Sequence, residues 1–215
     1  MKVKFPNHFF VTGIGTGVGK TLTSAVLTEA LQCDYWKPIQ SGSMEVTDRQ
    51  VVQSLVTNSN SKFHGESYLL KDPSSPHYAA LLEHIEIDIE RISMPQTTNR
   101  LLVEGAGGLL VPINGELVVF DLIEYFNLPV VVVARNYLGS INHTLLTLQF
   151  LESQGANILG VIFSGDNYND NEEIIEHLSG IHILGRLAEA KIVNKEFVKA
   201  QALEMIKSLS LKFDL

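Results

Sequence analysis

The chain has 215 residues, of which 45% are hydrophobic and 19% charged, and its formal net charge is −8 at pH 7. This composition excludes an intrinsically disordered chain, and the length suits one α/β domain that spans residues 1–215. The acidic balance argues against nonspecific binding to nucleic acid, because no surplus of Lys and Arg is available to neutralise phosphates.

Short β-rich runs alternate with helical stretches along the whole chain. This alternation predicts βα units around a mostly parallel, doubly wound sheet. In chain order we predict strands at residues 9–11, from 35, 100–103, 130–133, 158–163 and 181–184, and helices at 21–32, 48–56, 75–84, 142–153, 172–178 and 195–209. The polar, Ser-rich segment 58–72 is predicted to be a long loop or lid.

A glycine-rich segment follows the first predicted strand and opens the first helix, reading Thr-Gly-Ile-Gly-Thr-Gly-Val-Gly-Lys-Thr over residues 12–21. This context predicts a phosphate-binding loop and hence a P-loop NTPase fold, because glycines let successive N–H groups face a phosphate. Lys20 is predicted to reach the β- and γ-phosphates, and the Thr21 hydroxyl to bind Mg²⁺. Five residues rather than the usual four separate Gly13 from the Gly-Lys pair. A glycine-rich turn without a ligand is the alternative.

Two further segments place polar groups after predicted strands. Glu104 follows the apolar run 101–103 and precedes Gly-Ala-Gly-Gly, while Lys37 and Ser41 lie in Trp-Lys-Pro-Ile-Gln-Ser-Gly at 36–42. Because the carboxyl ends of parallel strands meet at one edge, we expect these groups beside the phosphate loop. Asp48 opens a helix after Thr47, where helix capping is the alternative to a role in the site.

The remaining titratable groups indicate no further site. His143 stands at a helix start, where a hydrogen-bonding role is the commoner one, and the six other histidines lack ligand spacing, so we expect them to be structural. Cys33 is the single cysteine and is expected to be a buried, inert thiol. The longest apolar run, 128–134, is much shorter than the roughly 20 residues of a membrane span, and the N-terminus lacks a signal-peptide pattern. We therefore expect a cytoplasmic protein.

In their order along the chain, these motifs resemble the dethiobiotin synthetase family over nearly the whole sequence. The matching segments are 13–21, Lys-Pro-Ile-Gln-Ser-Gly at 37–42, Ser-Pro-His at 75–77, Val-Glu-Gly-Ala-Gly-Gly at 103–108 and Leu-Gly-Ser-Ile-Asn-His at 138–143. The longer spacing in the phosphate loop is typical of that family. The phosphate loop is shared with many ATPases, whereas the segments at Lys37 and 138–143 are much more specific.

The resemblance implies an ATP-dependent ligase that closes a ureido ring on 7,8-diaminononanoate with CO₂, giving dethiobiotin, ADP and phosphate. One amine captures CO₂ as a carbamate, a carbamate oxygen attacks the γ-phosphate, and the second amine closes the ring and expels phosphate. Two anions meet in the attack, so clustered cations must offset their repulsion. The resemblance gives this role to Lys20, Lys37 and Mg²⁺, and implies that Thr16 and Ser41 hold the reacting groups in line.

The resemblance also implies three sets of binding residues, with ATP as co-substrate and Mg²⁺ as cofactor. The metal set is Thr21, Asp48 and Glu104. The substrate set is Ser41, Gly139, Ser140, Ile141 and Asn142, the last four contributed to a shared site by the neighbouring subunit of a homodimer. The nucleotide set is Gly15, Thr16, Gly17, Val18, Gly19, Lys20, Thr21, Glu104, Gly105, Ala106, Gly107, Gly108, Ser164, Ala188, Glu189 and Ala190.

The sequence departs from the family pattern in three places. Gly17 stands where many members carry Glu, so a phosphate-side group is missing there or supplied otherwise. Ser164 stands at the position of an adenine-reading Asn and cannot offer a bidentate amide. The segment 185–190 lacks a proline that members often have. The base-binding end is therefore the part of the site where the resemblance is weakest.

Two other functions share the phosphate loop. A partitioning-type ATPase that works as a dimerisation switch would not need the Lys37 segment. An ATP-dependent amide-forming synthase of the same superfamily usually carries a glutaminase domain with a nucleophilic cysteine, for which 215 residues leave no room. ATP turnover with and without the diamine and bicarbonate separates these functions from the ligase.

Overall fold

A seven-stranded parallel sheet with helices on both faces forms the centre of the computed structural model, which describes residues 2–42, 44–166 and 170–215. The strands are β1 (Val3–Lys4), β2 (His8–Gly13), β3 (Asp34–Trp36), β4 (Ile39–Gln40), β5 (Phe63–His64), β6 (Tyr68–Leu69), β7 (Leu101–Gly108), β8 (Val130–Arg135), β9 (Ile158–Ser164), β10 (Ile183–Leu187) and β11 (Phe213–Asp214). The helices are α1 (Lys20–Leu31), α2 (Asp48–Leu55), α3 (Pro76–Leu82), α4 (Val119–Phe126), α5 (Ser140–Ser153), α6 (Asn171–Ser179) and α7 (Lys195–Lys212), with a 3₁₀ turn at Ile89–Arg91.

The strand order of the central sheet is β10-β9-β8-β2-β7-β3-β5. From β2 the chain first moves to β3, returns to β7 beside β2, and then crosses to β8 on the other side of β2. Such a reversal of direction opens a crevice at the carboxyl ends of the strands, where α/β sheets bind ligands. The fold therefore places the loop after β2 at the centre of this crevice. The doubly wound parallel α/β fold predicted from the sequence is confirmed.

Two hydrophobic clusters cover the two faces of the sheet. In β8, Val131 and Val133 pack into the cluster under α1 and α7, whereas Val130 and Val132 pack into the cluster under α4 and α5. All four valines are fully buried, which explains why this strand is apolar at every position rather than at alternate ones. None of the described helices is long and apolar enough to cross a lipid bilayer.

Strand β7 is longer than predicted, because it continues through Glu104 to Gly108 instead of ending at residue 103. The register with β2 shifts after Val11, and pairing resumes between Gly13 and Gly108. A Cβ at Gly105 would lie 2.7 Å from a ring carbon of Phe10. The glycines thus allow close approach to β2, and the strand runs five residues beyond its predicted end.

The prediction that residues 58–72 form a long loop holds for most of the segment, but two short strands interrupt the loop. This segment contains β5, which pairs with β3 at the edge of the central sheet, and β6, which pairs with β4. Its polar side chains form internal bonds, as where Asn58 Oδ1 accepts from the Ser61 backbone N–H at 3.0 Å. The polar composition therefore reflects a hydrogen-bonded sheet edge.

Two predicted elements begin or end elsewhere along the chain, and one helix was not predicted. Helix α5 begins at Ser140, two residues early, because Gly139 caps it with φ 98°. Strand β10 is displaced along the chain to Ile183–Leu187. Helix α4 was not predicted, because eight residues of mostly apolar sequence fit a buried strand equally well.

Candidate functional site

The carboxyl ends of β2, β3 and β7 open onto one groove of about 650 Å³. It lies at the crevice that the strand order creates. The phosphate loop, the Lys37 segment and the Glu104 segment all contribute, with a lining that includes Thr16, Gly17, Gly19, Lys20, Thr21, Lys37, Ser41, Asp48, Glu104, Ala106 and Gly107. The structure therefore brings together the polar groups predicted from three separate segments.

The phosphate loop connects β2 to α1 through glycines with left-handed backbone conformations. Gly17 has φ 73°, and Gly19, the N-cap of α1, has φ 97°, a region that side chains disfavour. The Lys20 ammonium donates to the Gly15 carbonyl oxygen at 2.9 Å. Burial lowers the pKa of Lys20 to about 8, because desolvation disfavours its charged form. A nearby anion would strongly favour that charge.

Lys37 lies beside Thr21, between the buried carboxylate of Glu104 and the partly buried carboxylate of Asp48. Its Nζ is 2.5 Å from Asp48 Oδ2 and 3.3 Å from Glu104 Oε1. The Thr21 hydroxyl is 2.7 Å from Asp48 Oδ1 and 3.3 Å from Glu104 Oε1. Burial alone would lower the pKa of Lys37, but the negative charges of Glu104 and Asp48 outweigh burial and raise it above its ordinary value. Lys37 therefore remains a cation at neutral pH.

The start of α2 fixes the position of Asp48. Thr47 is the N-cap, and its hydroxyl accepts from the Gln50 N–H at 3.2 Å while Gln50 Oε1 accepts from the Thr47 N–H at 2.9 Å. This reciprocal capping box satisfies the helix start and leaves the Asp48 carboxylate to contact Lys37. The Asp48 N–H donates to Gln40 Oε1 at 3.0 Å, which ties the helix to β4.

The oxygen atoms around Lys37 suit a magnesium ion. Thr21, Asp48 and Glu104 present one hydroxyl and two carboxylates, and Mg²⁺ prefers such hard ligands, completed by water and substrate phosphates. Within residues 2–42, 44–166 and 170–215, no three His, Cys, Asp or Glu side chains cluster as an all-protein metal cage. In this structure the Lys37 ammonium supplies the positive charge that the two carboxylates require.

Two serine hydroxyls at the groove have no hydrogen-bond partner among the described residues. They belong to Ser41, which was predicted, and Ser74, which was not, and both oxygen atoms are buried. Buried hydroxyls are usually paired, so this pair favours a polar ligand in the groove. The only sequence signal for Ser74 is its place directly before the Ser-Pro-His segment.

Tyr35 contacts the far side of Glu104. Its hydroxyl donates to Glu104 Oε2 at 3.0 Å, and the whole side chain is buried. Burial, with the negative charge of Glu104 added to it, raises the pKa of Tyr35 well above its ordinary value. In the sequence this residue is only an aromatic position at the start of a strand, so motif reasoning missed the contact.

The residues predicted at the nucleotide base lie farther along the sheet edge. Ser164 ends β9 beside the phosphate loop, and a Cβ at Gly19 would be 2.4 Å from its hydroxyl oxygen. After β10, Glu189 pairs with Arg135 at 3.0 Å. Residues 188–190 are absent from the lining of the central groove. The structure thus brings Ser164 next to the phosphate loop. Residues 188–190 lie outside the central groove, at the edge of the sheet after β10, which we call the rim.

The start of α5 contains both exposed and buried residues. Gly139 and Asn142 are exposed, Ile141 is partly buried, and Ser140 is fully buried. His143 accepts or donates a hydrogen bond with the Tyr137 hydroxyl at 2.7 Å, in accord with the expected polar role. The helix and the phosphate loop border a second groove, lined by Gly15, Thr16, Leu110, His143, Leu146 and Phe150 among others.

Cys33 is fully buried, and burial raises the pKa of its thiol to about 12. A thiol that stays protonated at neutral pH is a poor nucleophile. The predicted burial of Cys33 is confirmed.

Comparison with known sequences points to one family. A family model described as an AAA domain matches residues 7–196. The chain is 45% identical over 204 residues to the ATP-dependent dethiobiotin synthetase of Christiangramia forsetii, covering 95% of this chain and 98% of that protein. It is 44% identical over 198 residues to the enzyme of the same name from Cytophaga hutchinsonii, covering 92% and 96%.

Solved structures show the same fold in more distant proteins. A ParA family ATPase from Chlorobium tepidum matches with a TM-score of 0.56 and 13% identity, covering 96% of this chain and 93% of that chain. The MinC:MinD cell division protein complex of Aquifex aeolicus matches with a TM-score of 0.55 and 15% identity, covering 95% and 94%. At such low identity the likeness shows the P-loop α/β fold and nothing about activity.

Proposed function

The chain belongs to the ATP-dependent dethiobiotin synthetase family, and from that premise we propose how its central groove performs the reaction. The protein is an ATP-dependent ligase of biotin biosynthesis, which makes dethiobiotin from 7,8-diaminononanoate and CO₂ and releases ADP and phosphate. The observation that carries the site assignment is the position of Lys37, a buried cation at the groove that the phosphate loop lines.

The phosphate end of ATP is assigned to the loop before α1. Backbone N–H groups of residues 15–21 and the positive end of α1 favour phosphate oxygens, and Lys20 adds a charge at the same place. Gly105 to Gly108 form the facing wall, where a Cβ at Gly108 would lie 3.6 Å from Gly15. The short distance means that this wall packs directly against the phosphate loop.

Activation of the carbamate is assigned to Lys37 with Thr16 and Ser41. The carbamate and the γ-phosphate are both anions, so their approach requires preorganised positive charge. Lys37 and Lys20 both line the groove and supply it. The unpaired buried hydroxyl of Ser41 supports a contact with the carbamate or its parent amine. Thr16 borders the same space and would orient the phosphate.

Thr21, Asp48 and Glu104 would hold Mg²⁺ next to the phosphates. When bound, the ion supplies charge that stabilises the β- and γ-phosphate oxygens. Thr21 directly follows Lys20, and its hydroxyl already lies within hydrogen-bonding distance of both carboxylates. The three groups therefore need little rearrangement to bind one cation together.

The base of the nucleotide is assigned to the rim beyond the phosphate loop. Ser164 stands next to Gly19, and Ala188, Glu189 and Ala190 follow the neighbouring strand β10. A nucleotide whose phosphates lie on the loop would extend its base toward this rim. The Arg135–Glu189 ion pair lies at the same rim, at the ends of β8 and β10.

We assign the substrate carboxylate to the start of α5 in the second subunit of a homodimer. A helix start attracts anions through its unpaired N–H groups, and Gly139 and Asn142 are exposed there. Leu138 is 91% exposed, and Leu110 and Leu146 are also exposed at the adjoining surface. Exposed apolar side chains close together are typical of a protein interface, which supports a second copy at this face.

The first prediction is that phosphate release depends on both diaminononanoate and bicarbonate, and that Lys37→Ala abolishes it. We expect kcat to fall on the order of 10²–10³-fold, as for the loss of one electrostatic donor in a transition state. Binding of ATP, measured by calorimetry, should change only a few-fold. Lys37→Arg should fail as well, because a planar guanidinium does not replace a compact ammonium.

Lys199→Ala, which removes an exposed lysine on α7, is the matched control and should keep full activity. Near-normal turnover in Lys37→Ala would overturn the site assignment. Diamine-independent ATP hydrolysis with nucleotide-dependent dimerisation would instead indicate the partitioning-type switch, whose resemblance to this chain rests on fold alone.

A further inference from the structure

Tyr35 lies behind the assigned metal site, on the side of Glu104 that faces away from Thr21 and Lys37. We propose that Tyr35 is a positioning residue, whose hydroxyl orients the Glu104 carboxylate toward the divalent cation. The inference rests on the proposed role of Glu104 as a metal ligand. Neither the phosphate-loop motif nor the Lys37 segment includes Tyr35, so the observation comes from the geometry of the sheet.

The register of β3 and β7 places Tyr35 within reach of Glu104. Tyr35 pairs directly with Leu102, and side chains two residues apart on a strand share a face, so Glu104 lies on the same face as Tyr35. An offset of two residues along the neighbouring strand puts the two backbone positions about 8 Å apart. Only a long side chain with a polar tip can span that distance, and the Tyr35 hydroxyl reaches Glu104 Oε2 at 3.0 Å.

The two oxygens of Glu104 have separate tasks in this arrangement. Oε2 accepts from Tyr35, while Oε1 lies 3.3 Å from both the Thr21 hydroxyl and the Lys37 ammonium. A tyrosine hydroxyl is protonated at neutral pH and can donate to a carboxylate. Because Glu104 is 1% exposed, water cannot replace this donor easily. The bond therefore holds the carboxylate plane so that Oε1 faces the cation site.

Trp36, the next residue along β3, makes a hydrogen bond with a structural role only. Trp36 donates to the Gly65 carbonyl oxygen at 3.1 Å and ties β3 to the outer edge of the sheet. Its partner is a backbone carbonyl and not a side chain of the groove. The Tyr35 hydroxyl instead donates its one hydrogen bond to the charged Glu104 side chain, as groups that orient metal-binding carboxylates do.

The test is Tyr35→Phe in the full chain, which removes one oxygen and keeps the buried ring. Binding of Mn²⁺ in the presence of ADP, followed by electron paramagnetic resonance, should weaken roughly 10–100-fold. The Mg²⁺ concentration for half-maximal turnover should rise in parallel, while ADP affinity without metal stays within about twofold, since the phosphate loop is untouched. Metal affinity within twofold of the unaltered protein would overturn the proposal.

Tyr68→Phe is the matched control, because its hydroxyl bonds only to the backbone of Asp88 among the described residues, at 3.0 and 3.3 Å. It should leave metal affinity unchanged. Placing 4-aminophenylalanine at position 35 should restore metal binding, whereas 4-methylphenylalanine, of similar size without a donor, should not. This pair keeps the test decisive even if Tyr35→Phe fails to fold, and equal metal affinity in the two would overturn the proposal.

Glu104→Gln separates this inference from the function it rests on. If Glu104→Gln does not weaken Mn²⁺ binding, the metal assignment is wrong. If Glu104→Gln weakens binding and Tyr35→Phe does not, only the role of Tyr35 is wrong. We expect both to weaken it, with Tyr35→Phe adding less than about twofold in the Glu104→Gln background, because residues that act through one contact are not additive.

Discussion

Ser164 and Gly19 lie so close that the phosphate loop has no room for a side chain there. A Cβ on Gly19 would be 2.4 Å from the Ser164 hydroxyl oxygen and 2.9 Å from its Cβ, and the φ of 97° adds a second constraint. The short serine side chain is therefore part of the packing of the loop. A longer side chain at 164 would have to point away from Gly19, toward the rim assigned to the base.

The small side chain of Ser164 leads to a prediction about nucleotide choice. One hydroxyl cannot read both polar edges of adenine, and rejection of a wrong base depends on leaving polar groups unpaired. We expect kcat/KM for ATP to exceed that for CTP or GTP by less than about tenfold, against the roughly 10⁴-fold of sites built around such hydrogen bonds. Initial rates at subsaturating nucleotide measure this ratio.

Ser164→Ala is the control for base selectivity. It removes the hydroxyl with the least change in packing at Gly19, and it should leave the nucleotide ratios nearly as they are. A strong preference for ATP in the unaltered protein, lost in Ser164→Ala, would show that the hydroxyl reads the base after all.

At the scale of single residues, local spacing predicted many members of the groove, though not Ser74, and it did not predict all of their contacts. Lys20 and Lys37 could be placed because each follows a strand, and parallel strands bring their carboxyl ends together. The contact between Tyr35 and Glu104 depends on the register of β3 against β7. No local pattern encodes the register between two strands whose partners, Tyr35 and Leu102, are 67 residues apart in the chain, so this bond could not be predicted.

At the scale of elements, the edge of the sheet is held by one buried carboxylate. Asp34, at the start of β3, accepts from the Lys62 backbone N–H at 2.9 Å, the Thr97 hydroxyl at 2.8 Å and the Asn99 amide at 3.0 Å. His64 on β5 lies 2.9 Å from the same group. Burial by itself would raise the pKa of Asp34, but these hydrogen bonds outweigh burial and lower it below its ordinary value.

The lowered pKa of Asp34 gives a stability prediction with a defined sign. The group stabilises the fold fully above its unfolded pKa of about 4, and this contribution is lost as pH falls through the lower folded pKa. Asp34→Asn should therefore reduce the free energy of unfolding by about 2–3 kcal/mol at pH 7. The difference in the free energy of unfolding between Asp34→Asn and the unaltered protein should become smaller below a pH of about 4. Urea denaturation at several pH values measures both effects.

Asp170→Asn, at the exposed N-cap of α6 without a side-chain cap bond, should change stability by less than about 0.5 kcal/mol. A gap between Asp34→Asn and the unaltered protein that widens in acid would contradict the assignment.

Helices and strands were predictable where the sequence carries a clear hydrophobic pattern, and they were missed where it does not. The buried valines of β8 and the helix after the phosphate loop were located within two residues. The third predicted strand was expected to end at residue 103 and residues 58–72 to form a loop, but both segments join sheets through backbone hydrogen bonds. Backbone pairing of this kind is independent of side-chain hydrophobicity, which is the signal that sequence patterns carry.

At the scale of the whole molecule, the proposed homodimer makes a prediction about mixed subunits. If each site combines Lys37 of one subunit with the α5 start of the other, Lys37→Ala and Asn142→Asp subunits should complement each other. Asn142 is exposed at that helix start, and an added carboxylate there would repel the substrate carboxylate. Random mixing makes about half of the dimers hybrid, and each hybrid has one intact site of two. Activity should therefore recover to about a quarter of that of the unaltered protein.

Asn157→Asp, at an exposed position directly before β9, is the matched control and should be active alone. Verified hybrid dimers without activity, or a verified monomer with full activity, would contradict the shared site.

The pairing of β1 with β11 also determines how the molecule responds to force. Val3 and Lys4 lie beside Phe213 and Asp214 in parallel register, and the Phe5 N–H donates to the Asp214 carbonyl oxygen at 2.8 Å. Tension applied between residues 2 and 215 acts along both strands in opposite directions, so it loads these hydrogen bonds in shear. Bonds loaded in shear must break together, whereas bonds pulled apart crosswise break one at a time. The two-stranded sheet of β1 and β11 therefore resists the first step of forced unfolding.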